Sequence, residues 1–363
     1  MRTIDALMAP FALGSIEMRN RIVMAPMTRD RAGPGDVPNN LMVEYYAQRA
    51  SAGLIITEGV QPSKAGKGYW RTPGIHSQEQ IEGWRRVTDA VHARGGAIVM
   101  QLMHCGRVVV PANRGFEADI IAPSAIACPA LVPGPDGVPV ATAMPRAATL
   151  ADIDLLVDEF AQAARNAIAA GMDGVELHCA SGYLIHQFLN PASNKRDDEF
   201  GGSVENRIRF PIAVLHAVAD AIGGDKVGFR IAPGNPYNGM DITEPAATYA
   251  PLLKAADALG LAYVHVIDMH LENLDTLAMV RANWSGAVMA NDSQKVEGAC
   301  RLLETGLAHV VSFGRAFISN PDYVERICAG APLARVDFAH VYTGEEKGYT
   351  DYPTMAVLAE SQG

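Results

Sequence analysis

Eight short apolar or β-branched runs recur along this chain, at 21–25, 54–57, 97–101, 174–177, 227–231, 262–266, 287–290 and 309–313. Between most of them lies one stretch with the apolar period of a helix: 41–50, 77–96, 149–171, 204–222, 244–259, 274–282 and 293–305. Strands joined through helices by short connections run parallel. Eight such units predict an α/β fold, a closed (β/α)8 TIM barrel; a doubly wound open sheet is the alternative. No composition shift marks an internal linker, so 1–363 reads as one domain.

Two segments depart from the rhythm. Residues 11–18 form a predicted β-hairpin ahead of the first strand, and 108–148 are rich in Pro and Gly with no helical period. The second reads as a long excursion after strand three, holding a short hairpin. Ser77 with Gln80, and Thr149 with Asp152, have the spacing of capping boxes. Ile81, Trp84, Thr88 and Val91 share one face of the first of these helices. Ile153, Val157, Phe160, Ala164 and Ile168 share one of the second.

Composition narrows the partners. The formal net charge is -10 and no basic cluster interrupts it, which argues against nucleic acid and acidic membrane surfaces. No apolar run reaches the roughly 18 residues of a membrane span, and the N-terminus lacks the apolar core of a signal peptide. Five scattered cysteines without a CxxC pair point to neither a disulfide framework nor a zinc site, and a cytoplasmic setting is expected. No metal site is expected, and neither a GxGxxG fingerprint nor a nucleophile elbow occurs.

A barrel carries its chemistry at the C-terminal ends of its strands. There the sequence puts Pro26-Met27-Thr28, Glu58-Gly59, Gln101-Leu102-Met103-His104, Arg230, Asn291-Asp292 and Gly314-Arg315. Past strand four fall His178, Ser181 and Tyr183: an imidazole, a hydroxyl and a phenol, suited to gripping a polarised group and moving its proton. Barrels often seat a phosphate between the loops after strands seven and eight. Gly314 would bare the backbone there and Arg315 would add a planar fork. Thr28, Gln101 and Arg230 suit a flat heteroaromatic ring, the amide matching a flavin's N–H and adjacent carbonyl. A structural role for any one of them alone remains open.

The ordered series of motifs resembles the Old Yellow Enzyme family of flavin-dependent ene-reductases over essentially the whole length. It is most similar to the branch whose bacterial members reduce nitrate esters, morphinone and cyclohexenones. The matching stretches run from Asn20-Arg21-Ile22-Val23-Met24-Ala25-Pro26-Met27-Thr28, through Gln101-Leu102-Met103-His104 and residues 175–189, to Phe313-Gly314-Arg315 and the Gly348-Tyr349-Thr350-Asp351-Tyr352-Pro353 tail. The resemblance implies non-covalent FMN, reduced by NADH or NADPH, and an electron-poor alkene as the second substrate of a ping-pong cycle. It implies Pro26, Met27, Thr28, Gly59, Gln101, His178 and Arg230 around the flavin ring, and Asn291, Gly314 and Arg315 at its phosphate. His178 and Ser181 would polarise the substrate oxygen, and Tyr183 would supply a proton. Tyr69, Met103 and Tyr349 would line the substrate pocket, in a monomer or homodimer. Two residues depart from the family pattern: Ser181 stands where Asn or His is usual, and Met103 where relatives often carry tryptophan. Ser181 therefore keeps open a second reading, in which the flavin serves C–N oxidation, desaturation or isomerisation. A barrel retained only for binding is the third.

Overall fold

A computed structural model describes residues 4–291 and 295–360. Its frame is a closed barrel of eight parallel strands. In chain order these are β3 (Ile22–Met24), β4 (Leu54–Val60), β5 (Ile98–Leu102), β10 (Gly174–His178), β11 (Val227–Ile231), β12 (Tyr263–Ile267), β13 (Ala287–Asn291) and β14 (Val310–Phe313). Phe313 pairs with Met24 to close the ring. The hairpin of β1 (Phe11–Leu13) and β2 (Ile16–Met18) forms as expected. Leu13, Ile16 and Met18 pack against Val23, Ile56, Val99, Met289 and Val310, so the hairpin plugs one end of the barrel with an apolar floor. Gly228 belongs to this interior. A Cβ there would lie 2.2 Å from the Tyr263 ring, so only glycine lets that ring cross the barrel.

Helices cover the outside, burying Trp84, Phe160, Val214 and Leu252 against the strands. Both capping boxes form, on the helices Gln78–His92 and Leu150–Ala169. Each satisfies two backbone N–H groups that a helix start leaves without partners. The buried stripe of Leu150–Ala169 is turned from the expected one: Leu156, Ala163 and Ala167 are buried, whereas Val157 and Ile168 are only half-buried. Small alanines let this helix approach Arg209–Ile222 closely on that side. The helix expected over 204–222 breaks at Ile208, into Val204–Arg207 and Arg209–Ile222. Pro211 has no N–H to offer the Arg207 carbonyl, so one continuous ladder cannot form. The start of the helix expected over 293–305 lies outside the described residues; its visible part is Val296–Glu304.

The excursion holds more structure than a single hairpin. β6 (Ile121–Ala122) pairs in parallel with β9 (Arg146–Ala147), and β7 (Leu131–Pro133) with β8 (Pro139–Ala141) forms the hairpin. No helix among the described residues is long and apolar enough to cross a membrane.

Candidate active site

Above the apolar floor the barrel interior becomes polar. The Gln101 amide donates to Glu176 Oε1 at 2.8 Å, and His265 Nδ1 lies 2.8 Å from Glu176 Oε2. The other His265 nitrogen reaches Ser312 Oγ at 2.8 Å. Burial alone would raise the Glu176 carboxyl, but His265, Arg230 and the Gln101 amide outweigh it and hold it below its usual range. Burial keeps His265 low as well, against the pull of Glu176. The pair is therefore a carboxylate bound by a neutral imidazole, and the carboxylate is the counter-charge of Arg230. Arg230 in turn donates to Asn291 Oδ1 at 2.7 Å, and Asn291 donates to the Ser312 carbonyl at 3.1 Å. Sequence reasoning passed over Glu176 and His265. A charged residue in the middle of an otherwise apolar strand was the available signal.

This layer is the base of a cavity of about 710 Å3 at the C-terminal ends of the strands. Pro26, Met27, Thr28, Gly59, Gln101, Met103, His178, Ser181, Tyr183, Arg230, Asn291, Gly314 and Arg315 all line it. His178 closes β10 rather than following it, in register with Arg230 on β11. Burial, and then the Arg230 charge, hold the His178 imidazole well below its ordinary value, so it is neutral. Its Nδ1 and the Nε of Arg230 are buried without a protein partner. Met103 folds across Gly59, where a Cβ would meet its methyl at 2.5 Å. At Gly314 a Cβ would touch only Met27, at 3.4 Å, so glycine there leaves bare backbone toward the cavity. Arg315 is exposed beside it.

Beyond His178 the chain makes a sharp turn. Ser181 has φ 56° and Gly182 φ 75°, and the Ser181 carbonyl accepts from the Asn238 amide at 2.8 Å. The turn ends at Tyr183, the residue before the helix Leu184–Leu189. The Tyr183 ring stands 5.0 Å from the His178 ring, and its hydroxyl is 3.0 Å from that of Tyr69. Burial raises Tyr183 well above the usual phenol value, with the Tyr69 hydrogen bond pulling the other way. Tyr69 lines an outer chamber of about 550 Å3. The two spaces share Thr28, Tyr183, Tyr237, Phe338 and Tyr342.

Tyr349, expected in the pocket, is not there. It is fully buried, stacked on Tyr45 with ring centroids 4.1 Å apart, and Arg29 and Arg31 stand over its ring. Arg29 donates to the Gly348 carbonyl, and Gly348 turns with φ 68°, which drives the Tyr349 ring inward. Tyr342, seven residues earlier, lines both chambers instead. Neither it nor Tyr237 carried a sequence signal.

The donor set suits a flavin: a buried amide and guanidinium at the base, two buried nitrogens without partners, and an exposed arginine beside bare backbone. Residues 6–334 match the model of the NADH:flavin oxidoreductase / NADH oxidase family. The chain belongs to that family. It is 42% identical over 361 residues to a probable flavin mononucleotide-dependent alkene reductase of Leishmania infantum, covering 98% of this chain and 99% of the relative. A chanoclavine-I aldehyde reductase of Penicillium roqueforti is 40% identical, with 96% of each chain covered. Among solved structures, morphinone reductase superposes with a TM-score of 0.91 at 40% identity, covering 96% of each chain. An old yellow enzyme homologue of Zymomonas mobilis gives 0.92 at 39%, covering 96% of this chain and 99% of that one. The Old Yellow Enzyme resemblance and the barrel topology read from the sequence are thus borne out.

Proposed function

We propose that this NADH:flavin oxidoreductase family member reduces the activated C=C bond of α,β-unsaturated carbonyl or nitro compounds, with NADH or NADPH as the electron source. The observation that carries the reading is the junction of His178 and Tyr183. A neutral imidazole with a free nitrogen and a phenol held protonated by burial line one cavity with their rings 5.0 Å apart. The chemistry that non-covalently bound FMN would supply here is hydride donation to the alkene's β-carbon.

The rest is the work of side chains. Pro26, Met27, Thr28, Gly59, Gln101 and Arg230 would hold the flavin ring, the guanidinium favouring its reduced, anionic form. Asn291, Gly314 and Arg315 would hold its phosphate. His178 and Ser181 would donate to the oxygen that gains charge as the alkene is reduced, where one positioned donor is worth about 3 kcal/mol. Tyr183 would deliver the proton to the α-carbon, and Tyr69, by donating to Tyr183 Oη, would stabilise the phenolate left behind. Met103 would form a soft wall of the alkene pocket. In this reading the enzyme works in the cytoplasm as one FMN-binding domain, alone or as a homodimer.

The test is NADH or NADPH oxidation with 2-cyclohexenone or an N-alkylmaleimide. Turnover well above the oxygen background is the expected result. A flavin that NAD(P)H reduces but neither alkene reoxidises would overturn the assignment and favour the oxidative reading that the short Ser181 donor keeps open.

A further inference from the structure

The outer chamber is lined in a way that neutral enones do not require. Four aromatic side chains stand largely in the open on its walls: Trp70 (40% exposed), Tyr237 (57%), Phe338 (69%) and Tyr342 (59%). Among the described residues no other aromatic is exposed to that degree, so all of them gather at one place. They come from three segments far apart in sequence, at 70, 237 and 338–342, which makes a single run of hydrophobic residues an insufficient account.

Two carboxylates sit among them, and one, Asp136, accepts from the Val138 N–H at 3.0 Å. Asp30 lines the chamber with its backbone in the left-handed region at φ 58°, and its Oδ1 is buried without a hydrogen-bond partner. The flanking arginines make their hydrogen bonds elsewhere. Arg29 donates to the Val341 and Gly348 carbonyls and to Tyr45 Oη, and Arg31 to the carbonyls of Val341 and His340. Arg71, also on the chamber wall, is held by both oxygens of Glu345. A buried carboxylate oxygen without a partner is costly unless a donor or cation arrives. Aromatic faces attract the same kind of visitor, since their quadrupoles favour a cation over the ring. The net charge of -10 favours the approach of positive ligands as well.

We propose that the outer chamber binds the protonated or quaternary nitrogen of an amine-bearing substrate, with Asp30 as counter-ion and Trp70, Tyr237, Phe338 and Tyr342 as the aromatic walls. The chamber and the inner cavity share Tyr183, Tyr237 and Tyr342, so a molecule with an ammonium group a short spacer away from its alkene spans both. That second half rests on the alkene-reductase reading; the ammonium site does not. Burial, then the Glu58 carboxylate, push the Asp30 carboxyl up to about 8, against Arg31, Arg71 and Arg29. Tyr342 faces it as well, and Tyr69 and Asp136 line the same chamber. A bound cation stabilises the carboxylate and draws that value down. Affinity for the cation therefore rises with pH toward about 8 and levels off above it.

The test is calorimetric titration of the FMN-loaded protein with (4-hydroxybenzyl)trimethylammonium and with its neutral isostere, 4-neopentylphenol. The wild type is expected to bind the ammonium probe at least about tenfold more tightly. In Asp30→Asn, which keeps size and suits a left-handed backbone, the ratio should fall below about threefold. Tyr342→Leu should lower it in part. Equal affinities in the wild type, a pH-independent preference, or a preference that Asp30→Asn retains in full would each overturn the proposal. Neither titration needs turnover. A protein that prefers the ammonium probe yet reduces no enone refutes only the alkene-reductase reading. One that reduces cyclohexenone without that preference refutes only the ammonium site.

Discussion

The phenolic oxygens of Tyr69 and Tyr183 lie 3.0 Å apart, with the two rings edge to face at 79°. Both are pushed well above the ordinary phenol range, first by burial. Either hydroxyl can donate across that distance; with Tyr69 as the donor, the bond favours a phenolate on Tyr183 and opposes one on Tyr69. Tyr183 is thus held as a protonated phenol beside a second hydroxyl, and in the proposed reaction it would give that proton to a carbanion.

Tyr183→Phe should slow alkene reduction by about 10²–10⁴-fold and leave flavin reduction by NAD(P)H nearly unchanged. Tyr69→Phe should slow the same half-reaction by only about 3–10-fold, since it removes one hydrogen bond and not the proton. Stopped-flow traces of the two half-reactions check both. Equal losses in both half-reactions would remove the proton-donor assignment.

Ser181 combines a short hydroxyl with a backbone at φ 56°. Asparagine tolerates that conformation better and reaches further with two N–H donors. Ser181→Asn should therefore raise kcat/KM on 2-cyclohexenone by roughly tenfold, the effect of one better oxyanion donor discounted for imperfect geometry. A fall on cyclohexenone would mean that serine is selected for a substrate held in another pose.

Arg315 is exposed at the cavity rim beside the bare backbone of Gly314. If it grips the FMN phosphate, Arg315→Ala removes a charge-assisted contact and should raise the FMN dissociation constant by about 10–100-fold. Quenching of flavin fluorescence on titration into apoprotein measures this. Binding of riboflavin, which has no phosphate, should not change between the two proteins.

Stability of the FMN-free chain should peak near pH 6.5. Burial lowers His104 to about 3 and His186 to about 4, and it lowers His178 and His265 as well. Groups with a depressed value bind protons more readily once unfolded, so their contribution is present above about 6.5 and is lost as pH falls below it. Burial also raises Glu58 to about 7 and Asp30 to about 8, which has the opposite sign: stability present at low pH is lost as pH rises toward those values. His76 and His309 are held low as well and Glu159 high, so from about pH 4.5 to 6.5 six histidines outnumber three carboxyls and stability climbs; from about 6.5 to 8 only the carboxyls titrate and it declines. Urea denaturation across that range tests the shape, and a midpoint that rises steadily to pH 8 would contradict it.

Much of the site was legible because a barrel has a rule. Once eight alternating units were recognised, the residues after each strand had to face one mouth, and thirteen of the named ones do line one cavity. Tyr349 and Tyr342 mark the limit of that rule. Both lie in the C-terminal tail, beyond the last strand, where no periodicity says which way a ring points. The Gly348 turn and the Arg29 bond to its carbonyl sent Tyr349 into the core and left Tyr342 on the rim. Glu176 and His265 are a milder case. Their strands were placed correctly, but their pairing spans 89 residues and appears only when β10 and β12 flank β11.

By itself the sequence determined the strand and helix order, the closed barrel and the hairpin, because each follows from a local period or from a rule about how βα units join. The tertiary structure decided what meets above them. It joined Asp30, Trp70, Tyr237 and Tyr342 from separate loops into one aromatic chamber. It also left the Asp30 Oδ1 without a hydrogen bond from the arginines on either side of it in sequence, because their guanidinium groups are bonded to carbonyls of the tail. Neighbours in sequence fix the backbone's direction; a side chain's charge environment is fixed by whatever the finished fold packs against it.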